Sequence, residues 1–346
     1  RYVLKGAVQG VGFRPFAYHL AIKHDLKGWV RNDSAGLIIE VEGYEDKITC
    51  FAKQLQDKKP LNSSVSHIES FDLTPEFETE FNILSSNNNP AITTLIMPDL
   101  AICQDCIREL NDPSDRRYRY PFINCTQCGP RFTITTALPY DRPNTSMAVF
   151  EMCAECRREY HDPLSRRFHA QPIACSNCGP QLALWDRNGN GNEVANGESA
   201  LNQAVMHIEQ GKIIALKGLG GFHLIADATL DPTIQVLRAR KHRKTKPFGV
   251  MYPSLTAIQE DCYVSSAEKS LLCSAMAPIV LVLRKPVAAI SSWVAPDNPY
   301  LGVMLPYTPL HYLLLQALKR PIVATSGNRA SEPICIHNQE ALEQLQ

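Results

Sequence analysis

The middle of the chain carries eight cysteines in two copies of one spacing, Cys-x2-Cys-x18-Cys-x2-Cys. The second copy begins fifty residues after the first, and 13 of 28 aligned positions keep the same residue, so the copies form an internal repeat. Two Cys-x2-Cys turns can present four thiolates to one tetrahedral zinc ion at about 2.3 Å. The spacing therefore predicts two structural zinc ribbons. Their ligands would be Cys103, Cys106, Cys125 and Cys128 in the first copy and Cys153, Cys156, Cys175 and Cys178 in the second.

Disulfides, an iron–sulfur centre and a redox Cys-x2-Cys motif are the alternatives for these cysteines, and the regular spacing favours zinc over all three. A closed shell of four sulfurs leaves no open coordination position, so we expect each Zn²⁺ ion to stabilise the fold rather than to catalyse. Ligands could be exchanged between the copies. We expect each copy to bind its own ion.

The overall composition limits the class of protein. A chain of 346 residues is long enough for two to four domains. Thirty-five Lys and Arg against 35 Asp and Glu leave no surplus of positive charge, so neither a nucleic-acid partner nor an anionic membrane is expected. The longest uncharged apolar stretch, Ala275 to Leu283, is too short to cross a membrane. No secretory signal is visible, and the cysteine usage predicts the reducing cytoplasm.

The pattern predicts a multidomain α+β protein with domains at 1–88, 92–184 and 198–346. The first domain reads β-α-β-β-α-β, the order of a ferredoxin-like fold. Its predicted strands are Arg1 to Val8, Leu26 to Asn32, Leu37 to Glu42, Val65 to Leu73 and Phe81 to Leu84, with helices at Pro15 to His24 and Glu45 to Asp57. A hairpin turn is predicted at Asp33 to Gly36, and a linker at Ser85 to Asn89 followed by Pro90.

Beyond a turn-rich segment at Asn188 to Glu193, apolar strands alternate with helices, which predicts an α/β domain with a mixed sheet. The predicted helices are Glu198 to Glu209, Thr233 to Arg240, Ala267 to Cys273 and Leu310 to Leu318. The predicted strands are Ile213 to Leu216, Phe248 to Met251, Ile279 to Leu283, Leu301 to Leu305 and Ile322 to Thr325. The sequence ends in a polar, helix-like stretch, so we expect this domain to be truncated at its carboxy end.

A first candidate site lies between the first strand and the first helix, in the loop Gln9, Gly10, Val11, Gly12 and Phe13. Two glycines let successive N–H groups turn inward, and the helix that follows adds the positive end of its dipole. The next residue, Arg14, can bind phosphate oxygens with its planar fork. A Gly-x-Gly loop alone is weak evidence, and a plain tight turn is the alternative.

The strings VQGVGFRPF and GWVRNDSAG together resemble the acylphosphatase family over the entire first domain. The resemblance implies that the loop and Arg14 bind the phosphate of an acyl phosphate, and that the amide of Asn32 orients the attacking water. Such a mixed anhydride is already activated, so positioning and charge stabilisation would suffice.

A second candidate site combines a basic segment with a strand end. Six basic side chains occupy nine positions between Arg238 and Lys246, for which a solvated basic face is the alternative interpretation. The turn Ser326-Gly327-Asn328 follows an apolar strand and can offer hydroxyl, amide and backbone donors to a phosphate or ribose.

These segments, together with Leu305 to His311, resemble the YrdC-like family, whose members use ATP to make a carbamoyl-type adenylate and release pyrophosphate. The resemblance implies that Lys241 and Arg243 bind the triphosphate and the carbamoyl oxygen, and that Ser326 and Asn328 complete the nucleotide site. The chain departs from the family at Lys217 to His223, where members recognise an amino acid. An amino-acid substrate is therefore not expected.

The order of the three regions resembles the HypF family, the carbamoyltransferases of nickel–iron hydrogenase maturation. The resemblance implies that carbamoyl phosphate is hydrolysed in the first domain and that ATP, with Mg²⁺, converts the carbamate to carbamoyl-adenylate in the last. The carbamoyl group would pass to the terminal cysteine of a hydrogenase-maturation partner protein, as the precursor of a cyanide ligand. Family members have a further carboxy-terminal domain, and we expect this sequence to stop before it.

Two other hypotheses fit parts of the sequence. One is a zinc-dependent nucleic-acid or protein-binding module with a vestigial acylphosphatase domain, against which the balanced charge argues. The other is a hydrolase of acyl phosphates alone, which leaves the nucleotide-like region unexplained.

Overall fold

The computed structural model describes residues 1–33, 36–60, 62–86, 96–186, 192–329 and 332–345. The centre of the predicted hairpin turn (Ser34 and Ala35), most of the predicted linker (87–90) and most of the predicted exit turn (188–191) lie outside the described residues. The chain divides into two compact units, one formed by 1–100 with 123–179 and the other by 101–122 with 180–346.

The first unit contains a five-stranded sheet with two helices. The strands are β1 (Tyr2–Ala7), β2 (Lys27–Asp33), β3 (Gly36–Glu42), β4 (Ser64–Ser70) and β5 (Phe81–Ile83), and the helices are α1 (Phe13–Lys23) and α2 (Glu45–Asp57). The sheet order is β4-β1-β3-β2-β5. β1, β2, β3 and β4 pair antiparallel, which confirms the ferredoxin-like arrangement. The fifth strand, β5, pairs parallel with β2.

Apolar spacing explains how the two helices pack. α1 buries Ala17, Leu20 and Ala21 against the sheet, three residues that fall on one face at helical spacing. α2 buries Phe51 and Leu55, an i,i+4 pair, in the same core. This packing holds α1 against the sheet, and the loop 8–12 joins the end of β1 to the start of α1.

Each cysteine copy begins with a short helix. The helices are α3 (Gln104–Asn111) and α4 (Ala154–His161), and the first cysteine of each copy, Cys103 or Cys153, is the N-cap residue. The remainder of the first unit, from 123 to 179, has little other regular structure. A small core around Cys156, Ala170, Ile173 and Cys175 supports it.

The second unit is built on a seven-stranded mixed sheet in the order β11-β12-β13-β10-β14-β9-β8. Its strands are β8 (Ile214–Gly218), β9 (Gly221–Asp227), β10 (Gly249–Met251), β11 (Cys262–Tyr263), β12 (Val280–Arg284), β13 (Tyr300–Met304) and β14 (Ile322–Ser326); β6 (Ala183–Trp185) and β7 (Glu193–Asn196) form a separate hairpin. Its other helices are α5 (Gly197–Glu209), α6 (Asp231–Arg240), α7 (Leu255–Asp261), α8 (Ser266–Leu272), α9 (Pro309–Leu318) and α10 (Asn338–Gln344).

The mixed sheet is confirmed, because β10 pairs parallel with β13 and antiparallel with β14. The sequence prediction omitted β9, β11 and α7. β9 pairs with both β8 and β14, and Gly220 before it and Gly221 at its start obscured the strand pattern. Among the described residues, no helix has the length and apolar character needed to cross a membrane.

Candidate functional site

The glycine loop joins β1 to α1. Gly10 and Gly12 have φ of 73° and 76°, the left-handed region that glycine adopts without strain. Gly12 is the N-cap residue of α1, so the first N–H groups of this 11-residue helix face the loop. The arrangement places backbone donors and the positive end of the helix dipole at one point, as an anion requires.

Gln9 holds the loop against the strand that carries Asn32. Its buried side chain, 3 % exposed, donates from Nε2 to the carbonyl oxygens of Asp33 at 2.7 Å and Gly36 at 2.8 Å. Gln9 and Val11 do not line the cavity beside the loop, whereas Gly10, Gly12 and Phe13 do. Gln9 therefore supports the loop, and the cavity is open to the glycine backbone.

Arg14 and Asn32, the two residues predicted to act on the substrate, are brought together by the fold. Arg14 Nη2 and Asn32 Nδ2 each donate to the carbonyl oxygen of Tyr140 at 3.4 Å. Arg14 Nη2 also forms an ion pair with Asp141 at 2.7 Å. Within the described residues, the buried Oδ1 of Asn32 has no hydrogen-bond partner. This oxygen can accept a hydrogen bond from a water molecule in the cavity.

The cavity beside these residues is small. About 20 Å³ of it is accessible to the centres of water molecules. One side of its lining comes from the ferredoxin-like fold and the other from the cysteine region. The second group, which the sequence analysis did not identify, comprises Thr126, Arg131, Tyr140, His169, Ala170, Gln171 and Pro172.

Arg131 connects the glycine loop to the first cysteine copy. Its guanidinium is buried and donates from Nε to the carbonyl oxygen of Gly10. Its Nη2 donates to the carbonyl oxygens of Cys125 at 3.2 Å and Thr126 at 2.9 Å. The planar fork of arginine suits such a set of acceptors, and its charge lies beside the predicted anion site.

His169 is a half-buried histidine in the lining of the cavity. Burial, followed by the positive charge of Arg14, lowers the pKa of His169 to about 3. The imidazole is therefore neutral at pH 7, with one nitrogen that donates and one that accepts.

The eight cysteines form two groups, each drawn from one copy of the repeat, which confirms pairing within copies. The four Sγ atoms of each group lie within 4.8 Å of one another. A zinc tetrahedron with bonds of about 2.3 Å has edges of about 3.8 Å. Measured separations match that edge: 3.8 Å for Cys125 to Cys128, 3.8 Å for Cys153 to Cys175, 3.7 Å for Cys175 to Cys178 and 3.6 Å for Cys178 to Cys156.

The chemistry of the donor set also fits zinc. Burial raises the pKa of the Cys178 thiol, but hydrogen bonds from Cys153, Cys175 and Cys156 outweigh this effect and lower it to about 7. Burial raises the pKa of the Cys153 thiol in the same cluster. Because zinc binds thiolates, binding of an ion at these sulfurs would release protons. The guanidinium of Arg142 interacts electrostatically with the sulfurs of Cys178 and Cys156, and its positive charge is opposite in sign to that of a thiolate. Burial lowers the pKa of Arg142.

In the second unit, the four residues predicted for a nucleotide site lie together. Lys241 Nζ donates to the carbonyl oxygen of Ser326 at 2.7 Å and to Oδ1 of Asn328 at 2.7 Å. Ser326 Oγ donates to the same Oδ1 at 2.7 Å. Arg243 Nη1 donates to the hydroxyl of Thr325 at 3.1 Å, a contact absent from the sequence prediction. The basic segment is therefore directed at the end of β14.

Arg238 is the residue that shapes this segment, although the sequence pattern marks it only as one of six positive charges. It is buried, its guanidinium lies 4.7 Å from the ring centre of Phe248, and Nη1 donates to the carbonyl oxygens of Arg243 at 2.8 Å and Lys244 at 3.2 Å. Burial, then the charge of Arg243, lowers the pKa of Lys241. A solvated basic face is thus the wrong interpretation for Arg238.

Comparison with family models divides the chain into the same three kinds of region. The acylphosphatase model matches residues 1–83, and the HypF finger model matches 102–135 and 152–185. The Sua5–YciO–YrdC model, described as telomere recombination, matches 206–346.

Two relatives that match nearly the whole of this chain belong to one family. The carbamoyltransferase HypF of Synechocystis sp. is 54 % identical over 343 residues, which are 99 % of this chain and 44 % of that protein. The probable carbamoyltransferase HypF of Methanocaldococcus jannaschii is 45 % identical over 356 residues, which are 100 % of this chain and 45 % of that protein.

One solved structure also matches this chain over nearly its whole length. The crystal structure of a full-length HypF in its phosphate- and nucleotide-bound form superposes with a TM-score of 0.94 at 46 % identity, over 99 % of this chain and 44 % of that one. The chain spans less than half the length of these relatives. Its acylphosphatase domain, paired four-cysteine clusters and YrdC-like domain, in that order, make it a member of the HypF carbamoyltransferase family.

Proposed function

We propose that this chain hydrolyses carbamoyl phosphate at the cavity beside the glycine loop and forms carbamoyl-adenylate from ATP at the end of β14. The observation that carries the proposal is the convergence of Arg14 and Asn32 on one point beside the loop. The HypF relative of known structure binds phosphate and a nucleotide, which supports two sites of these two kinds.

In the first reaction, backbone N–H groups of the loop and the guanidinium of Arg14 hold the phosphate of carbamoyl phosphate. Asn32 Oδ1 accepts a hydrogen bond from a water molecule and orients its oxygen toward the scissile group. Water forms a bond to phosphorus as the bond from phosphorus to the carbamoyl oxygen breaks, and carbamate, inorganic phosphate and a proton are released. Fixed positive charge at the phosphate stabilises the negative charge on the phosphoryl oxygens during this transfer.

In the second reaction, carbamate attacks the α-phosphorus of ATP, and pyrophosphate leaves. Lys241 and Arg243 supply fixed positive charge, and Ser326 and Asn328 supply hydroxyl and amide groups for the nucleotide. Bound Mg²⁺ would neutralise part of the triphosphate charge. The residues of the chain need only position the triphosphate and offset its charge as the bond to pyrophosphate breaks.

Transfer of the carbamoyl group to the terminal cysteine of a hydrogenase-maturation partner, in the cytoplasm, completes the proposed role within the HypF family. The two four-cysteine clusters would each bind a structural Zn²⁺ ion. The two candidate sites described above correspond to the two early reactions, and the proposal covers those two.

A nucleic-acid-binding function has less support. Such a role would need the basic segment as an open contact surface. Arg238 is buried, and Lys241 and Arg243 donate to groups at the end of β14. These contacts suit the binding of a nucleotide at the end of β14 better than the binding of a nucleic acid on the protein surface.

Two assays on the 346-residue chain test the proposal: phosphate release from carbamoyl phosphate, and pyrophosphate release from ATP with and without carbamoyl phosphate. We expect pyrophosphate release to depend on carbamoyl phosphate. Arg14→Ala and Asn32→Ala should abolish both activities, while Lys241→Ala should abolish only pyrophosphate release. Wild-type protein that releases no phosphate from carbamoyl phosphate would rule the proposal out.

Exposed residues of the same types provide matched controls. Arg157→Ala, Asn82→Ala and Lys244→Ala each remove a like side chain from an exposed position. Their rates should stay within about twofold of wild type, because surface substitutions away from special features cost little. An equal loss in Lys244→Ala and Lys241→Ala would show that charge alone matters, against an assigned role for Lys241.

A further inference from the structure

The guanidinium that is central to the proposed phosphate site has a carboxylate partner from outside the ferredoxin-like fold. Arg14 Nη2 lies 2.7 Å from Oδ1 of Asp141, and the two side chains are only 9 % and 20 % exposed. A carboxylate beside an anion site needs explanation, because its negative charge repels the anion it faces. It could compete with phosphate for Arg14, or it could hold Arg14 in place.

The contacts of Arg14 favour the second role. An arginine has five N–H donors, and both side-chain contacts that Arg14 makes within the described residues involve Nη2, one to Asp141 and one to the carbonyl oxygen of Tyr140. Within the described residues, Nε and Nη1 of Arg14 have no partner. Phosphate can therefore bind at the remaining donors without displacing the carboxylate.

Three hydrogen bonds hold the segment that carries Asp141. Ser86 Oγ donates to Oδ2 of Asp141. The N–H of Tyr140 donates to Oε1 of Gln9 at 3.1 Å, and the N–H of Arg142 donates to Oε1 of Gln171 at 2.7 Å. The backbone contacts of Tyr140 and Arg142 hold the segment in place, and a carboxylate that turned away from Arg14 when substrate binds would also lose its contact with Ser86. A carboxylate that supports Arg14 keeps that contact.

We propose that Asp141 is a positioning residue for the acyl phosphate site: together with the carbonyl group of Tyr140, it fixes the guanidinium of Arg14 so that its free donors face the phosphate. This inference rests on the proposed function and adds a residue from the cysteine region to the site. An otherwise flexible arginine then needs no reordering when substrate binds. The acyl phosphate site is thus shared between residues of the ferredoxin-like fold and residues of the segment 123–179.

The test compares Asp141→Asn and Asp141→Ala in the 346-residue chain, with phosphate release from carbamoyl phosphate as the readout. Asp141→Asn preserves size and an acceptor oxygen but loses the charge, so it keeps the experiment informative if Asp141→Ala fails to fold. We expect kcat/KM to fall roughly tenfold in Asp141→Asn and further in Asp141→Ala, because charge-assisted hydrogen bonds are about twice as strong as neutral ones. Unchanged kcat/KM in both variants would overturn the proposal.

Inhibition by inorganic phosphate separates positioning from competition. If Asp141 positions Arg14, its loss should raise the inhibition constant of phosphate several-fold. If Asp141 competes with the anion, its loss should lower that constant, and the proposal is then wrong.

A second background separates positioning from a purely structural role. In Arg14→Lys, the additional change Asp141→Asn should lower kcat/KM less than threefold, because the planar guanidinium that Asp141 orients is replaced by a single ammonium group. If Asp141→Asn lowered kcat/KM by the same factor in the wild-type chain and in Arg14→Lys, Asp141 would act independently of Arg14, and the proposal would be overturned. Activity of the unmodified chain on carbamoyl phosphate, measured alongside, tests the proposed function itself.

Discussion

The backbone N–H of Tyr140 donates to Oε1 of Gln9 at 3.1 Å, across 131 residues of sequence. Gln9 uses its Nε2 group for the carbonyl oxygens of Asp33 and Gly36. One buried amide therefore holds the glycine loop, the end of β2 and the segment of Tyr140 in a single arrangement. The geometry around Arg14 and Asn32 depends on this amide.

Gln9→Ala should destabilise the first unit and impair its site. The substitution removes three buried hydrogen bonds and leaves their backbone partners unsatisfied, which we expect to lower the free energy of unfolding by roughly 3 kcal/mol. Urea denaturation measures this loss, and phosphate release from carbamoyl phosphate should fall with it. Wild-type stability in Gln9→Ala would mean that water replaces the amide without cost.

Gly10→Ala should lower the stability of the chain more than an alanine substitution at another glycine of positive φ. A Cβ on Gly10 would lie 3.0 Å from Cδ of Arg131 and 3.3 Å from Cε1 of Tyr140, in addition to the strain of φ at 73°. Gly197 has φ of 51° but no described atom within 4 Å, so Gly197→Ala measures the strain alone, about 1–2 kcal/mol. Thermal denaturation should show the larger loss in Gly10→Ala. Equal losses would refute crowding at the loop.

Removing one ligand of the second cysteine cluster should release one metal ion and weaken the acyl phosphate site. Cys175 packs with Ala170 and Ile173, next to the cavity residues His169 and Gln171. Cys175→Ser should therefore lower the zinc content by one ion per chain and stability by more than about 3 kcal/mol, with loss of phosphate release. Elemental analysis and activity assays test this expectation. Cys50→Ser, at an exposed cysteine outside both clusters, is the control, and equal zinc in both variants would contradict the assignment.

The stability of the chain should fall as the pH drops below 7, in part through His311. This residue is 0 % exposed, and burial, then the nearby His223, lowers its pKa to about 3. Above pH 6.5 both the folded and unfolded states are neutral at this residue, so it contributes nothing. Between about 6.5 and 3 the unfolded state binds a proton that the folded state does not, which costs up to about 1.4 kcal/mol per pH unit.

Urea denaturation between pH 7.5 and 5.5, with zinc content monitored, measures this dependence. The Nδ1 atom of His311 lies 2.9 Å from the hydroxyl of Thr308, and the amide of His311→Asn can keep a polar contact there. We expect a shallower slope of stability against pH in His311→Asn than in wild type. Parallel slopes would mean that His311 becomes protonated in the folded protein.

Much of both sites could be predicted from sequence, because their chemistry is encoded locally. The cysteine spacing indicated tetrahedral metal sites, and the glycines before α1 indicated an anion-binding loop. Arg14 and Asn32 belong to short motifs, and the roles proposed for them follow from the resemblance of those motifs to the acylphosphatase family. Lys241 and Ser326 are 85 residues apart, yet each was recognisable within its own motif.

Tertiary structure alone decided which residues complete those sites. Tyr140, Asp141 and Arg131 carry no motif, and each acts through a contact with a residue more than one hundred positions away. Sequence spacing reports helix faces and turns, which repeat over a few residues, but carries no signal for a carbonyl or carboxylate placed by distant packing. The cysteine repeat and the glycine loop were thus readable as sequence, whereas the positioning of Arg14 by Asp141 required the folded chain.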